Sequence, residues 1–222
     1  MGQWIELKAA DGFVLPAWRA EPATKPKGGI VVIQEIFGVN PHIRSVTDRL
    51  AAAGYLAIAP AVFERVERGV ELDYDQTGIA KGMEIAGKMV RENAMLDVGA
   101  AIAAASAAGK VGITGFCLGG TFTWGAAATL SGLSAAVGYY GGGIVERKNL
   151  QPKVPTMLHF GEKDDHIPLE GVREVEKLHP DVKVYIYPAG HGFHCDARAS
   201  YDKPSAELAW GRTLEFFGQH VG

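Results

Sequence analysis

Apolar and polar positions alternate along this chain in short blocks, each of which predicts an element. Trp4 to Leu7 and Phe13 to Ala17 flank the turn Ala10-Asp-Gly12 and predict a β-hairpin or two edge strands covering one side of a sheet. Gly29-Ile-Val-Val-Ile33 is an unbroken, mostly β-branched run, as expected of a strand covered on both faces in a parallel sheet. Pro41 opens a helix with Ile43, Val46 and Leu50 on one face, and Tyr55 to Ala59 is the next strand. Pro60 to Tyr74 reads as an excursion outside the core. Asp75 to Arg91 and Asn93 to Ala107 read as helices; Gly82 and Gly87 weaken the first, and Met95, Val98, Ile102 and Ala105 mark one face of the second. Further strands over Val111 to Thr114, Leu133 to Tyr139, Val154 to Phe160 and Val182 to Tyr187 alternate with helices over Leu118 to Leu130, Gly171 to Leu178 and Pro204 to Val221. In the last helix Leu208, Leu214 and Phe217 are among the apolar positions. This alternation predicts an α/β fold with a doubly wound, mostly parallel sheet.

Composition narrows the possibilities. The 222 residues suit one α/β domain, and the net charge of −3, with Lys and Arg scattered, gives no basis for binding nucleic acid or an anionic membrane. Neither a signal sequence nor an apolar run of bilayer length is evident, and the only cysteines are Cys117 and Cys195. A cytoplasmic protein with free thiols is the expectation.

The chemistry gathers where strands end. Gly115-Phe-Cys-Leu-Gly119 joins a predicted strand to a predicted helix, in the pattern of a nucleophile elbow with Cys in place of the usual Ser. A thiol there meets the helix N-terminus, which favours its thiolate, and the Leu118 amide can point at an oxyanion. Asp164 or Asp165 follows a later strand and His191 the last one, so nucleophile, acid and base occur in the order of an α/β-hydrolase. Glu35 follows the Gly29 to Ile33 strand, at the sheet end where open α/β folds place their sites.

Together, Gln34-Glu-Ile-Phe-Gly-Val-Asn40, Gly115-Phe-Cys-Leu-Gly-Gly120, Tyr139-Tyr-Gly141, Asp164 with Pro168 four residues on, and Ala189-Gly-His-Gly-Phe193 resemble the dienelactone hydrolase family over nearly the whole chain. The resemblance implies an α/β-hydrolase that acts on a small-molecule ester or lactone without a cofactor or metal. It places the nucleophile on Cys117, the acid on Asp164 rather than Asp165, the base on His191, and on Glu35 a carboxylate that helps deprotonate the thiol. The oxyanion hole falls on the amides of Ile36 and Leu118. Phe37, Tyr139, Phe193, Lys81, Cys195 and Arg198 form the candidate substrate-binding set.

This sequence departs from the family at two cations. Where family members that act on dienelactone hold the substrate carboxylate with an Arg four residues after the histidine, this chain has Cys195; at the second such position it has Ala80, beside Lys81. Arg198 or Lys81 is the available replacement, and an anionic lactone is therefore not the expected preference. Among rival readings, Gly115 to Gly119 and His179-Pro-Asp181 resemble class I glutamine amidotransferases, but Asp164 precedes His191 here, against that order. A binding module would not need all three triad residue types. A metal site from Asp164, Asp165, His166, His191 and His194 is weighed as an incidental cluster. A monomer is expected.

Overall fold

The computed structural model describes residues 2–222. Eight strands form one sheet in the order β1-β2-β4-β3-β5-β6-β7-β8. The opening hairpin, β1 (Gln3–Lys8) and β2 (Val14–Ala20), lies at one edge and joins antiparallel to β4 (Leu56–Pro60). From there β3 (Gly29–Ile33), β5 (Val111–Phe116), β6 (Leu133–Tyr139), β7 (Thr156–Gly161) and β8 (Lys183–Tyr187) run parallel.

Polar side chains cap the starts of several helices. The Asn40 side chain accepts from the Ile43 amide ahead of α1 (Pro41–Ala52), Asp75 from Gly78 ahead of α2 (Gln76–Lys88), and Asp202 from Ser205 ahead of α7 (Lys203–His220). Between them lie α3 (Arg91–Ala105), α4 (Leu118–Thr129), the short α5 (Gly142–Glu146) and α6 (Leu169–Leu178). The sequence pattern does not signal α5. Its glycines favour no helix on their own, and the turn forms where the Gly143 amide donates to Thr121 Oγ1 at 3.1 Å and Trp124 Nε1 to the Arg147 carbonyl at 3.0 Å. Among the described residues no helix is long and apolar enough to cross a membrane.

Strand β3 shows how the layers pack. Its Ile30 and Val32 join Ile43, Val46 and Leu50 of α1 and Phe217 of α7, whereas Val31 and Ile33 join Val98, Ala101 and Ile102 of α3 and Phe122 of α4. Alternate side chains thus enter opposite helical layers, and both faces are buried. Leu208 on α7 departs from the expected apolar face: it is exposed.

The excursion after β4 folds back over the end of β3. Phe63 and Ile85 pack with Ile36 and Phe37, and the Leu72 amide donates to the Phe37 carbonyl at 2.9 Å. Arg65 anchors this segment by pairing with the fully buried Asp97 of α3 and with Asp11 in the hairpin turn. Gly82, a weak helix former, is needed because a Cβ there would lie 2.2 Å from the Ile36 carbonyl oxygen. Helix α2 is thereby pressed against the loop that carries Glu35.

Candidate active site

Cys117 stands between β5 and α4 with φ of 54°. Such a backbone is strained for a residue with a Cβ, and close packing fixes it. A Cβ on Gly115 would lie 2.2 Å from the Gly119 carbonyl oxygen, and one on Gly119 would lie 2.2 Å from that of Ile33, so both flanking glycines are required. The Cys117 amide donates to the Tyr139 carbonyl at 3.0 Å, and Leu118 begins the helix, where amides lack intrahelical acceptors. Because Ile33 pairs with Gly115, Glu35 and Cys117 each follow two residues beyond the same rung of the sheet. Among the described residues the nearby Ile36 amide donates to no acceptor.

Asp164 and His191 come from the loops after β7 and β8. His191 Nδ1 lies 2.7 Å from Asp164 Oδ2, and Asp164 Oδ1 accepts from the His166 amide at 2.9 Å, which fixes the carboxylate. Asp164 is buried whereas Asp165 is exposed, so the fold itself separates the two neighbours. Burial opposes charge on His191, but its hydrogen bond to Asp164 and the proximity of Cys117 outweigh that and hold its pKa well above the ordinary histidine value. The rings of Tyr140 and His166 each stand edge-on to His191, at 5.2 Å.

Glu35 is fully buried. Its Oε2 accepts from the Tyr74 hydroxyl at 2.8 Å and its Oε1 from Arg198 Nη1 at 3.4 Å. The Arg198 guanidinium lies 5.7 Å from the ring centres of both Phe37 and Tyr74, and the bare backbone of Gly192 lets it approach. Behind this group His42 Nδ1 lies 2.9 Å from Asp196 Oδ1, and its Nε2 is buried without a partner among the described residues.

Several residues expected to contact substrate stand elsewhere. Tyr139 has no exposure; its ring stacks on Phe116 and its hydroxyl bonds Thr213, so it belongs to the core. Tyr140, the next residue, lies against His191 instead: strand neighbours point to opposite faces, and the positive φ of 36° at Tyr140 marks the turn away from β6. Phe193 is likewise sealed, packed on Tyr187 and Tyr140. Lys81 is drawn away by Glu67, at 2.7 Å, and Glu84. Cys195 is buried beside Glu35, and desolvation pushes its thiol up to about 12. Phe37 and Arg198 do lie at the site. His179, of the amidotransferase-like segment, packs instead on Trp124.

Sequence reasoning missed Tyr74, Tyr140, His42 and Asp196. The run Tyr139-Tyr140 offered a signal for Tyr140; nothing marked Tyr74 or His42, which reach Glu35 only through folding of the excursion and of α1. Ligand-type atoms of Glu35, His42 and Cys195 lie within 4.8 Å of one another, a different set from the one the sequence suggested. A cation there would have to displace Arg198 and Tyr74 from both Glu35 oxygens, so the donor set suits an internal proton network better than a metal.

Comparison with known proteins gives a consistent result. The sequence pattern of the dienelactone hydrolase family matches residues 15–221. A Synechocystis protein named "Putative carboxymethylenebutenolidase" is 36% identical over 208 residues, covering 85% of this chain and 84% of its own. "Carboxymethylenebutenolidase 1" of Cupriavidus pinatubonensis is 31% identical over 225 residues, covering 95% of this chain and 94% of its own. A Klebsiella pneumoniae crystal structure described as a "Putative Dienelactone Hydrolase" superposes with a TM-score of 0.87 at 31% identity, covering 99% of both chains. The fold is that of the α/β-hydrolases.

Proposed function

The chain belongs to the dienelactone hydrolase family and is a hydrolase of that type; on that premise we propose that it cleaves a small-molecule ester or lactone through Cys117, His191 and Asp164, by way of a thioester. The observation that carries this reading is the strained cysteine at a helix N-terminus with the buried His191–Asp164 pair beside it.

Asp164 and the Cys117 thiolate both favour the imidazolium form of His191, so the thiol proton needs another acceptor. Glu35 takes it: the S–H bond breaks, a carboxyl O–H forms, and the electron pair stays on sulfur. The thiolate attacks the substrate carbonyl, and the amides of Ile36 and Leu118 receive the oxyanion. When the intermediate collapses, His191 gives its proton to the departing alkoxide and becomes neutral. It then takes a proton from water, whose oxygen attacks the thioester, and the second collapse expels the Cys117 thiolate and the product acid. Asp164 keeps Nδ1 protonated, so that Nε2 carries out both transfers.

Esters and lactones suit this nucleophile better than amides, because a thiolate is a good leaving group and an amine a poor one. The test is a panel of neutral esters, lactones with and without a carboxylate, and amides, assayed with the wild type and with Cys117→Ala. Turnover of esters or lactones that vanishes in Cys117→Ala supports the reading; ester turnover that survives the substitution defeats it.

A further inference from the structure

Glu35 presents a problem of proton traffic. It is fully buried, so a proton taken from Cys117 leaves only through a neighbour. Among the described residues the polar groups around it include Tyr74, Tyr140, Arg198, His42 and Cys195. Tyr74 and Tyr140 are phenols that burial holds protonated, Arg198 has no acceptor, and the Cys195 thiol keeps its own proton. That leaves His42.

The position of His42 suits this task. With the Asp196 carboxylate 2.9 Å from Nδ1, that nitrogen carries the proton and Nε2 is left as a buried lone pair with no donor among the described residues. Asp196 leads outward: its side chain is 51% exposed, against 1% for His42. The chain therefore carries two His–Asp pairs, His191–Asp164 beside Cys117 and His42–Asp196 beside Glu35.

We propose that His42, oriented by Asp196, is the relay that carries the thiol proton from Glu35 to solvent. The inference rests on the reading of Glu35 as acceptor of that proton. The carboxyl O–H of Glu35 breaks as an N–H forms at His42 Nε2; the Nδ1 proton passes to Asp196 and from there to water, restoring the Glu35 carboxylate. Ester hydrolysis near neutral pH releases one proton per turnover, because the product acid ionises. When acetate leaves, the relay runs inward: Nδ1 regains a proton through Asp196, Nε2 returns one to Glu35, and Glu35 reprotonates the Cys117 thiolate while the product acid ionises, so the ring regains its starting tautomer and the net proton released is the one that appears with phenol. The relay fails at low pH, where Nε2 is already occupied. Burial moves that point below the ordinary histidine value, against the charges of Glu35 and Asp196 and with that of Arg49 on the same helix. His194, Tyr74 and the Cys195 thiol also face the ring.

Timing of proton release tests the relay. With phenyl acetate in a weakly buffered stopped-flow single turnover, absorbance follows phenol release and an indicator dye follows protons. In the wild type a stoichiometric proton burst accompanies phenol release. His42→Asn keeps a donor to Asp196 but deletes Nε2; the burst is delayed to acetate release, and phenol release slows about tenfold. Asp196→Asn, at an exposed position, does the same without threatening the fold, and Asp196→Glu restores the burst. Wild-type protons that appear only with acetate, or a burst unchanged in both variants, overturn the relay. So does an equal loss of both rates with the timing unchanged, which marks a packing role. If Glu35→Gln leaves phenol release unaltered, the reading of Glu35 has failed instead.

Discussion

His191 Nδ1 and Asp164 Oδ2 stand 2.7 Å apart although 27 positions separate them in the chain, and the carboxylate is wholly buried. Asp164→Asn removes the charge that fixes the tautomer of His191, and kcat is expected to fall by about 10²- to 10⁴-fold, as it also does in His191→Ala. Asp165→Asn, at an exposed neighbour, should change kcat by less than about twofold. Steady-state kinetics on one ester ranks the three, and the opposite order for the aspartates would move the acid role to Asp165.

The two thiols differ in accessibility. Cys117 is partly exposed at its helix terminus, while Cys195 is buried and held protonated by desolvation. Iodoacetamide should modify Cys117 first and remove activity in proportion, with peptide mass spectrometry locating the label. Inactivation that tracks modification of Cys195 alone would displace Cys117 as nucleophile.

Glu35→Gln keeps an acceptor for Tyr74 but cannot take a proton. Acylation is expected to slow by about 10- to 100-fold, while deacylation of a preformed acyl-enzyme continues through His191 at its normal rate. Single-turnover measurement separates the two steps, and equal slowing of both makes Glu35 a structural support.

Arg198 is the cation at the site, and it is already committed to Glu35 at 3.4 Å. A substrate carboxylate must compete with that anion, and the two-pronged grip that typically gives about 2 to 3 kcal/mol, roughly 30- to 150-fold in specificity, is not free. We expect kcat/KM for a carboxylate substrate and its methyl ester to agree within about tenfold in the wild type. A preference of the larger size, abolished in Arg198→Gln, would show that Arg198 leaves Glu35 for the substrate.

His159 supplies a stability prediction. It is fully buried between the Tyr187 hydroxyl at 2.8 Å and Thr213 at 3.2 Å; burial, reinforced by the Arg212 cation, lowers its pKa from 6.5 to about 3. Between those values the unfolded chain binds a proton that the folded chain refuses. Stability is therefore fully present above pH 6.5 and declines as the pH falls towards 3, by at most about 1.4 kcal/mol per pH unit from this group. Urea unfolding from pH 7 to pH 4 should show the decline in the wild type and a shallower one in His159→Gln. Equal slopes would assign the acid sensitivity to other groups.

Much of the fold was legible along the chain because it is set by local patterns. The β-branched run of β3 and the elbow glycines act within a few residues and form where the sequence suggests, and the Asn40, Asp75 and Asp202 caps, equally local, start α1, α2 and α7. The ends of β5, β7 and β8 were visible for the same reason, which is why chain order alone pointed to Cys117, His191 and either Asp164 or Asp165, with the family resemblance choosing Asp164. Gly142 and Gly143 concealed α5, because its stability comes from Thr121 and Trp124, far off in sequence.

What the sequence by itself determined is the alternation of elements and the residue types delivered at the strand ends. The tertiary structure decided which side chains face one another there. It put Tyr140 against His191 while burying Tyr139, drew Lys81 into ion pairs with Glu67 and Glu84, and brought Tyr74, His42 and Arg198 around Glu35. Periodicity and capping are properties of neighbouring residues, whereas those contacts depend on the path of the excursion, the seating of α1 and the turn after β8. Tyr74 meets Glu35 across 39 positions and Arg198 meets it across 163, and no local pattern encodes that.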